Sequence, residues 1–108
     1  MTPEGEVKKT VSKLLKSYPN VFYDMPVPSG YGKSTIDYFG CAGGLFFAIE
    51  AKAEGKEPTA RQWRILETIV DAGGKIFAID GPGIQMNRLI AFLEDAALIE
   101  TAPEEHDI

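Results

Sequence analysis

Residues 45–53 have the sequence LFFAIEAKA, which is apolar except at two positions. Its apolar residues predict a central strand covered on both faces of a sheet, because such strands are almost continuously hydrophobic. Glu50 and Lys52 interrupt the apolar run, and the alternation of strand side chains places both on the same face. A buried Glu and a buried Lys are costly unless they are paired or hold a metal ion. The strand therefore predicts a charged site within the sheet.

The segment before this strand predicts a hairpin. Residues 35–41 are expected to form a strand, and Gly43-Gly44 suits a two-residue turn of the mirror-image type. The pairing that this turn sets puts Asp37 directly opposite Glu50, with Cβ atoms roughly 4.5–5.5 Å apart. Two carboxylates this close repel each other unless a proton or a cation lies between them. Oxygen ligands of this kind suit Mg²⁺ or Mn²⁺. A slip of one residue in the turn would break the arrangement.

The other elements follow from hydrophobic periodicity and from turn residues. Helices are expected over residues 3–17, 59–72 and 85–98, and further strands over residues 21–27 and 75–80. The crossover through the second helix predicts a parallel pair of strands, and the first three strands predict an antiparallel meander. The predicted fold is α/β (α+β): a mixed four-stranded sheet flanked by helices, in the order αβββαβ, with a C-terminal helix. A single domain is expected over residues 1–98, followed by an acidic tail over residues 99–108.

Two polar residues fall on apolar helix faces. Glu4 lies within roughly 40° of the centre of the apolar face of the first helix, so it is the acid expected to face the sheet. Gln62 falls within the apolar stripe of the second helix. Plainer explanations stay open, because acids are stabilising near a helix N-terminus and Gln62 is a first-turn residue. Four lysines and Ser12 fall largely outside the apolar face, and the lysines are expected on a solvated face: Lys8, Lys9, Lys13 and Lys16.

These residues favour phosphodiester chemistry. A metal ion held by Asp37 and Glu50 can polarise a phosphodiester oxygen and lower the pKa of a bound water. Lys52 can orient that water or stabilise the charge that builds on the phosphate. Gln62 can bind a phosphate or a metal-bound water. Structural explanations stay open here too, with Glu50 and Lys52 as an ion pair and Asp37 as the cap of a turn. In the loop before the hairpin, Tyr31 and Lys33 are candidate contacts to a phosphate backbone.

Other chemistries lack the residues they need. His106 is the only histidine and lies in the tail, which excludes a histidine-ligated metal, a Ser-His-Asp triad and a Cys-His pair. The single cysteine, Cys41, excludes a zinc knuckle and an internal disulfide and suits a reducing compartment. Gly32-Lys33-Ser34 imitates the end of a phosphate-binding loop, but Val27 stands where that motif needs glycine and a strand follows. No nucleotide cofactor is therefore expected.

The net charge of −5 is partly a property of the tail. Four of the sixteen acids lie in the last nine residues, which leaves twelve acids against eleven Lys and Arg in the body. The near-neutral body carries no broad basic stripe, which counts against tight nonspecific DNA binding. No apolar run approaches the roughly 20 residues of a membrane helix, and no signal peptide is visible at the N-terminus. We expect no membrane partner and a cytoplasmic protein, in the bacterial host cytoplasm if a phage encodes it.

Asp37 followed by Glu50-Ala51-Lys52 resembles the D…ExK signature of the PD-(D/E)XK nuclease superfamily, whose restriction-endonuclease-like core has the order αβββαβ. More narrowly, the chain is similar to the small phage and bacterial VRR-NUC domain proteins. Four blocks carry that similarity in the same order: TPEG at residues 2–5, GYG at 30–32, FAIEAK at 47–52 and PTARQ at 58–62. Ile36 departs from the proline that commonly precedes the Asp, although active members share this departure.

The resemblance implies a set of roles. Asp37 and Glu50 would be metal ligands together with the Ala51 carbonyl, and Lys52 would be the catalytic lysine. It also implies that Glu4, the acidic residue of the first helix, is a further metal ligand and that Gln62, the glutamine of the second helix, is a catalytic residue. Similar small phage proteins are implied to act as homodimers on branched DNA, including Holliday junctions.

The leading hypothesis is a Mg²⁺- or Mn²⁺-dependent endodeoxyribonuclease that selects branched DNA. Its main alternative is a non-catalytic module that binds branched DNA, for which the near-neutral body leaves room. A third possibility is an inert domain that has kept only the fold, against which the intact D…ExK set argues.

Overall fold

A four-stranded mixed sheet forms the centre of the computed structural model, which describes residues 1–27 and 36–99. The strands are β1 (Val21–Asp24), β2 (Tyr38–Ala42), β3 (Leu45–Ala51) and β4 (Lys75–Ile79), and they lie in that order across the sheet. The first three strands are antiparallel, and β4 runs parallel to β3. The predicted meander and the predicted parallel crossover are both confirmed.

Three helices cover the two faces of the sheet: α1 (Pro3–Lys16), α2 (Ala60–Asp71) and α3 (Ile84–Ala97). One core contains side chains of α1 and α3 with Phe47, Ile49 and the inner side chains of β4. A smaller core on the opposite face contains side chains of α2 with Ala48. Because β3 supplies residues to both cores, it is the central strand that its sequence predicts. The predicted α+β class and the order of elements are therefore confirmed.

The hairpin between β2 and β3 fixes the register of the sheet. Gly43 and Gly44 have φ values of +59° and +80°, a conformation that suits glycine and matches the twist of a two-residue hairpin. Tyr38 pairs with Ile49, and the same register brings the preceding residue, Asp37, opposite Glu50. The predicted turn and the predicted pairing are confirmed.

Local signals account for the ends of α1 and α2. The Thr2 hydroxyl accepts a hydrogen bond from the N–H of Gly5 and so caps α1. Thr59 caps α2 in a reciprocal arrangement with Gln62, in which each side chain accepts from the backbone of the other residue. These caps fix where α1 and α2 begin, and both beginnings border the candidate site described below.

The strands are shorter than the sequence predicts. β1 ends at Asp24 rather than at residue 27, because Pro26 has no N–H with which to continue a ladder. β3 ends at Ala51 rather than at residue 53, and its first two residues, Leu45 and Phe46, are exposed. The prediction of burial on both faces therefore holds only for Phe47 onward. Within the described ranges, no helix is long and apolar enough to cross a membrane.

Candidate active site

The polar residues predicted for the site converge at one end of the sheet. Glu50 and Lys52 lie at the carboxyl end of β3 on one face, as strand alternation requires. Asp37 comes directly before β2 and lies opposite Glu50 in the hairpin. Gln62 lies in the first turn of α2. The site is thus built from the central hairpin and one helix start, which are among the best fixed parts of the fold.

Backbone hydrogen bonds hold the two carboxylates against each other. The N–H of Asp37 donates to Oε1 of Glu50 over 3.0 Å, and the N–H of Ala51 donates to Oδ2 of Asp37 over 2.9 Å. The arrangement is reciprocal, because each carboxylate accepts from the strand that carries the other. Both side chains are therefore oriented before any ligand binds, as a binding or catalytic site requires.

The second oxygen of each carboxylate faces a lysine. Nζ of Lys52 lies 3.2 Å from Oε2 of Glu50, and Nζ of Lys8 lies 3.3 Å from Oδ1 of Asp37. Two cations thus balance two acids in a cluster that α1, β2 and β3 share. The prediction that Glu50 and Lys52 share a face is confirmed, and the two side chains also form the ion pair that was left open as a structural alternative. The contact of Lys8 with Asp37 was not predicted.

Glu50 is the only buried charged residue among those described, with 2% of its surface exposed. Burial raises the pKa of its carboxyl group, and the charge of Asp37 raises it further. The hydrogen bond from the Asp37 backbone and the ammonium of Lys52 oppose this rise. The resulting pKa of Glu50 is about 7. The site therefore holds a carboxyl group that is poised between its protonated and ionised forms at neutral pH.

Gln62 is fixed at both ends of its amide. Its Oε1 accepts from the N–H of Thr59 over 2.9 Å, and its Nε2 donates to Oε2 of Glu50 over 2.5 Å. Because the capping contact uses the carbonyl oxygen, only the NH₂ group is left to face the carboxylate. Gln62 thus ties the start of α2 to Glu50 and positions that carboxylate.

Replacing Gln62 by Glu tests this role. The new side chain can still accept from the Thr59 N–H, but its second oxygen meets Glu50 without a hydrogen atom between them. We expect Gln62→Glu to lower the free energy of unfolding at pH 8 by about 1–3 kcal/mol, measured by urea unfolding in EDTA. Thr59→Ala is the matched control for losing the cap, which costs about 1 kcal/mol. Wild-type stability of the Gln62→Glu protein would contradict the contact with Glu50.

Glu4 reaches the cluster only through Lys8. Its carboxylate lies 3.7 Å from Nζ of Lys8, which in turn contacts Asp37. The expectation that Glu4 faces the sheet agrees with this placement. Glu4 nevertheless makes no direct contact with Asp37 or Glu50 among the interactions of the described residues, and its side chain is 42% exposed. The structure therefore brings Asp37, Glu50, Lys52 and Gln62 together and leaves Glu4 at the margin.

The prediction that Lys8 belongs to a solvated face was wrong, and the neighbouring Ser12 also faces the sheet. Ser12 Oγ lies 2.7 Å from the hydroxyl of Tyr38, which donates to the backbone carbonyl of Lys8 over 2.8 Å. Burial lowers the pKa of Lys8, but Asp37 outweighs that effect and raises the pKa above its ordinary value. The i, i+4 spacing of Glu4, Lys8 and Ser12 was the available signal, because it places them along one helix edge. The remaining lysines of α1 are exposed, as predicted.

Comparisons of the chain with protein-family models, with curated proteins and with solved structures found no match. What the site can do therefore has to follow from its own geometry. Tyr31 and Lys33, the candidate contacts to DNA, lie outside the described residues. In the part of the chain that the structure describes, no three His, Cys, Asp or Glu side chains are grouped to hold a metal ion. Asp37 and Glu50 form a pair, and any further ligand would have to come from the backbone, from water or from substrate.

The backbone offers such a ligand at Ala51. Its N–H points to Asp37 on the β2 side of the strand, whereas the N–H of Lys52 points to Ile79 on the β4 side. Because the N–H and C=O of one strand residue point to the same side, the Ala51 carbonyl also points toward Asp37. Two carboxylates and a carbonyl make an all-oxygen set, which fits Mg²⁺ or Mn²⁺ better than a softer metal.

Proposed function

We propose that this protein is a metal-dependent endodeoxyribonuclease of the PD-(D/E)XK type, similar to the VRR-NUC domain proteins. The observation that carries the proposal is the pair formed by Asp37 and the buried Glu50, held by reciprocal backbone hydrogen bonds with Lys52 beside it. A carboxylate pair at the end of a central strand has no evident structural use, because burying it costs stability. A site for a cation and a phosphate accounts for the cost.

The residues present fit a divalent cation. Asp37, Glu50 and the Ala51 carbonyl would hold Mg²⁺ or Mn²⁺, and the ion would take over from the proton that Glu50 carries in part near neutral pH. When bound, the ion supplies charge stabilisation at a phosphate oxygen and lowers the pKa of a coordinated water. Magnesium commonly relies on one or two carboxylates plus water and substrate phosphate, so a third protein carboxylate is not required.

Lys52 orients the attacking water and provides charge stabilisation in this proposal. Its side chain is 17% exposed, so its ammonium can contact both Glu50 and a phosphate that enters from solvent. From this position it orients the attacking water and stabilises the negative charge that builds on the phosphate oxygens. Gln62 keeps Glu50 in place through its NH₂ group, and Lys8 does the same for Asp37.

The charge balance of the site permits a polyanion to approach. Lys8 and Lys52 offset the two carboxylates, so the cluster does not repel a phosphate even before a cation binds. The body of the chain is close to neutral once its terminal acids are set apart. A protein with this balance gains little from long-range attraction to duplex DNA, which favours recognition of a particular DNA shape. Branched DNA as substrate is therefore part of the proposal, and the resemblance to the VRR-NUC domain proteins adds a homodimer as the active form.

The test is cleavage of a labelled four-way junction, run beside linear duplex and single-stranded DNA, with Mg²⁺, with Mn²⁺ and with EDTA. We expect metal-dependent cutting of the junction and no cutting in EDTA. Asp37→Asn is the matched variant, because its carbonyl oxygen can still accept from Ala51 while the charge is lost. It should fold and leave the junction uncut. Full activity of the Asp37→Asn protein, or cutting in EDTA, would contradict the proposal.

One observation favours a second function, binding of branched DNA without cleavage. The two lysines already neutralise the carboxylates, so the cluster can persist as a structural ion network without a metal. Calorimetric titration with Mg²⁺ and Mn²⁺ at pH 8 separates the two functions. A heat of metal binding that the wild-type protein gives and the Asp37→Asn protein lacks would support the nuclease function. Junction binding with no metal site supports the non-catalytic module.

A further inference from the structure

An open cavity of about 280 Å³ adjoins the candidate site on the far side of Lys52. It lies between the connector that precedes α2, the outer edge of β4 and the first turns of α3. The residues that bear on its chemistry are Lys52, Lys56, Trp63, Asp80, Gln85 and Arg88. Its volume is near the lower end of the range for small-ligand pockets, so it has room for one small group rather than for a duplex.

The charges around this cavity favour a single phosphate. Three of its lining residues are cations and two, Glu57 and Asp80, are acids. One oxygen of Asp80 already accepts from the N–H of Gly55 over 3.0 Å, which ties that carboxylate to the connector. Because Lys52 is also paired with Glu50, the charges around the cavity are close to balanced. Lys56 and Arg88 are the cations that can contact a phosphate, and the two acids are acceptors that can receive hydrogen bonds from a base.

Arg88 is the best oriented of the cations. Its Nη1 donates to Oε1 of Gln85 over 2.7 Å, and its guanidinium lies 5.5 Å from the ring centroid of Phe77. Both contacts reduce the rotamer freedom that the side chain would lose on binding a ligand. A guanidinium held in this way can form paired hydrogen bonds to a phosphate.

Trp63 gives the cavity an aromatic wall. The residue packs against the smaller core, which contains Ile36, Ala48 and Leu66, and remains partly exposed where it lines the cavity. An indole fixed by its core contacts is a platform on which an unstacked base can lie, and such stacking does not depend strongly on the base. A cation and an aromatic wall together match the phosphate and the base of one nucleotide.

Lys52 connects this cavity to the carboxylates. It lines the cavity and also contacts Glu50 over 3.2 Å, so a group bound in the cavity is next to the phosphate that the site would cut. We infer that the cavity binds one unpaired nucleotide of the DNA strand being cut, with its base on Trp63 and its phosphate on Arg88 and Lys56. The inference rests on the proposed nuclease function and deepens it, because it requires an unpaired nucleotide beside the cut, as a branch point can supply.

The experiment uses Trp63 as its own reporter, because it is the only tryptophan of the chain. The full chain is titrated in EDTA with an oligothymidylate of about eight nucleotides and with an abasic oligonucleotide of the same length. We expect the oligothymidylate to quench the tryptophan fluorescence and the abasic strand to leave it almost unchanged, since stacking needs a base. Equal responses to the two strands would overturn the inference.

Variants test the same contacts through the anisotropy of a labelled oligothymidylate. Trp63→Leu and Arg88→Ala should each weaken binding by roughly tenfold. Trp63→Phe keeps an aromatic ring and should retain most of the affinity, which separates stacking from loss of the fold. Lys75→Ala removes an exposed charge at the other end of β4 and is the control. Binding by Arg88→Ala and Trp63→Leu as tight as that of the control would overturn the inference.

These measurements need neither a metal nor cleavage, so the two proposals fail separately. Base-dependent quenching without cleavage of any DNA would support the nucleotide site and contradict the nuclease function. Metal-dependent cleavage without base-dependent quenching would support the nuclease function and contradict the nucleotide site.

Discussion

Replacing Lys52 by Ala is expected to reduce the rate of DNA cleavage by at least about 10²-fold. The ammonium of Lys52 lies 3.2 Å from Glu50 and is the cation of the site that faces both the carboxylates and the adjoining cavity. Without it, no group at this position orients the attacking water or stabilises the charge on the phosphate. Initial rates on a labelled four-way junction with Mg²⁺ at pH 8 measure the effect.

The fold should survive this change. Glu50 loses an ion-pair partner, but its pKa is already near 7, and it can hold a proton in the metal-free protein. The hydrogen bonds of Glu50 with Asp37 and Gln62 remain. Circular dichroism and a thermal melt of the variant check this point before its activity is compared.

Two further variants sharpen the test of Lys52. Lys52→Met keeps the length of the side chain without its charge and should be as inactive as the Ala variant. Lys16→Ala, in the exposed last turn of α1, should cut at the wild-type rate. Retention of the full rate in Lys52→Met would refute a catalytic role for Lys52.

The centre of the site could be predicted because it depends on local rules. A Gly-Gly pair sets a two-residue turn, the turn sets the register, and the register sets Asp37 opposite Glu50. Strand alternation then places Lys52 on the same face as Glu50. Each step concerns residues within one hairpin, and the structure confirms the pairing within hydrogen-bond distance.

Lys8 could not be placed in the same way. The hydrophobic pattern of α1 locates its apolar face but does not say how far a long side chain at the edge of that face reaches. The lysine stem packs along the helix while its ammonium extends to Asp37, which lies 29 positions later in the chain. That contact depends on how α1 is docked on the sheet, and docking is a tertiary property that periodicity does not encode.

The cavity beside Lys52 escaped prediction for a related reason. Its walls come from three separate segments, around residues 52–63, 76–80 and 85–88. Trp63 packs against the smaller core, and periodicity alone would assign it only to the apolar stripe of α2. Its exposed part matters because β4 ends and α3 begins beside it, and the sequence does not reveal that neighbourhood.

The stability of the metal-free protein is expected to fall as the pH rises from about 5 to 8. The pKa of Glu50 is raised from its ordinary value of 4.5 to about 7, so between these values the folded protein keeps a proton that the unfolded chain releases. Because the folded state binds more protons in this window, the free energy of unfolding decreases as the pH rises through it. The shift corresponds to about 3 kcal/mol, which is fully lost above the folded pKa.

Urea unfolding in EDTA at pH 5, 6, 7 and 8 measures this loss. Glu50→Gln is the control, because it removes the titrating group; its stability should vary much less over the same range, whatever its absolute value. An equal slope in the two proteins would contradict the assignment of the loss to Glu50.

Added Mg²⁺ should reverse the trend, because a cation favours the ionised carboxylate pair that burial disfavours. In excess Mg²⁺ the wild-type protein should gain stability at pH 8 and gain almost none at pH 5, where the proton occupies Glu50. The same unfolding curves recorded with Mg²⁺ test this, with Asp37→Asn as the variant that should not respond at either pH. A response of equal size at pH 5 and pH 8 would mean that Mg²⁺ binds elsewhere, because binding at this pair must displace the Glu50 proton.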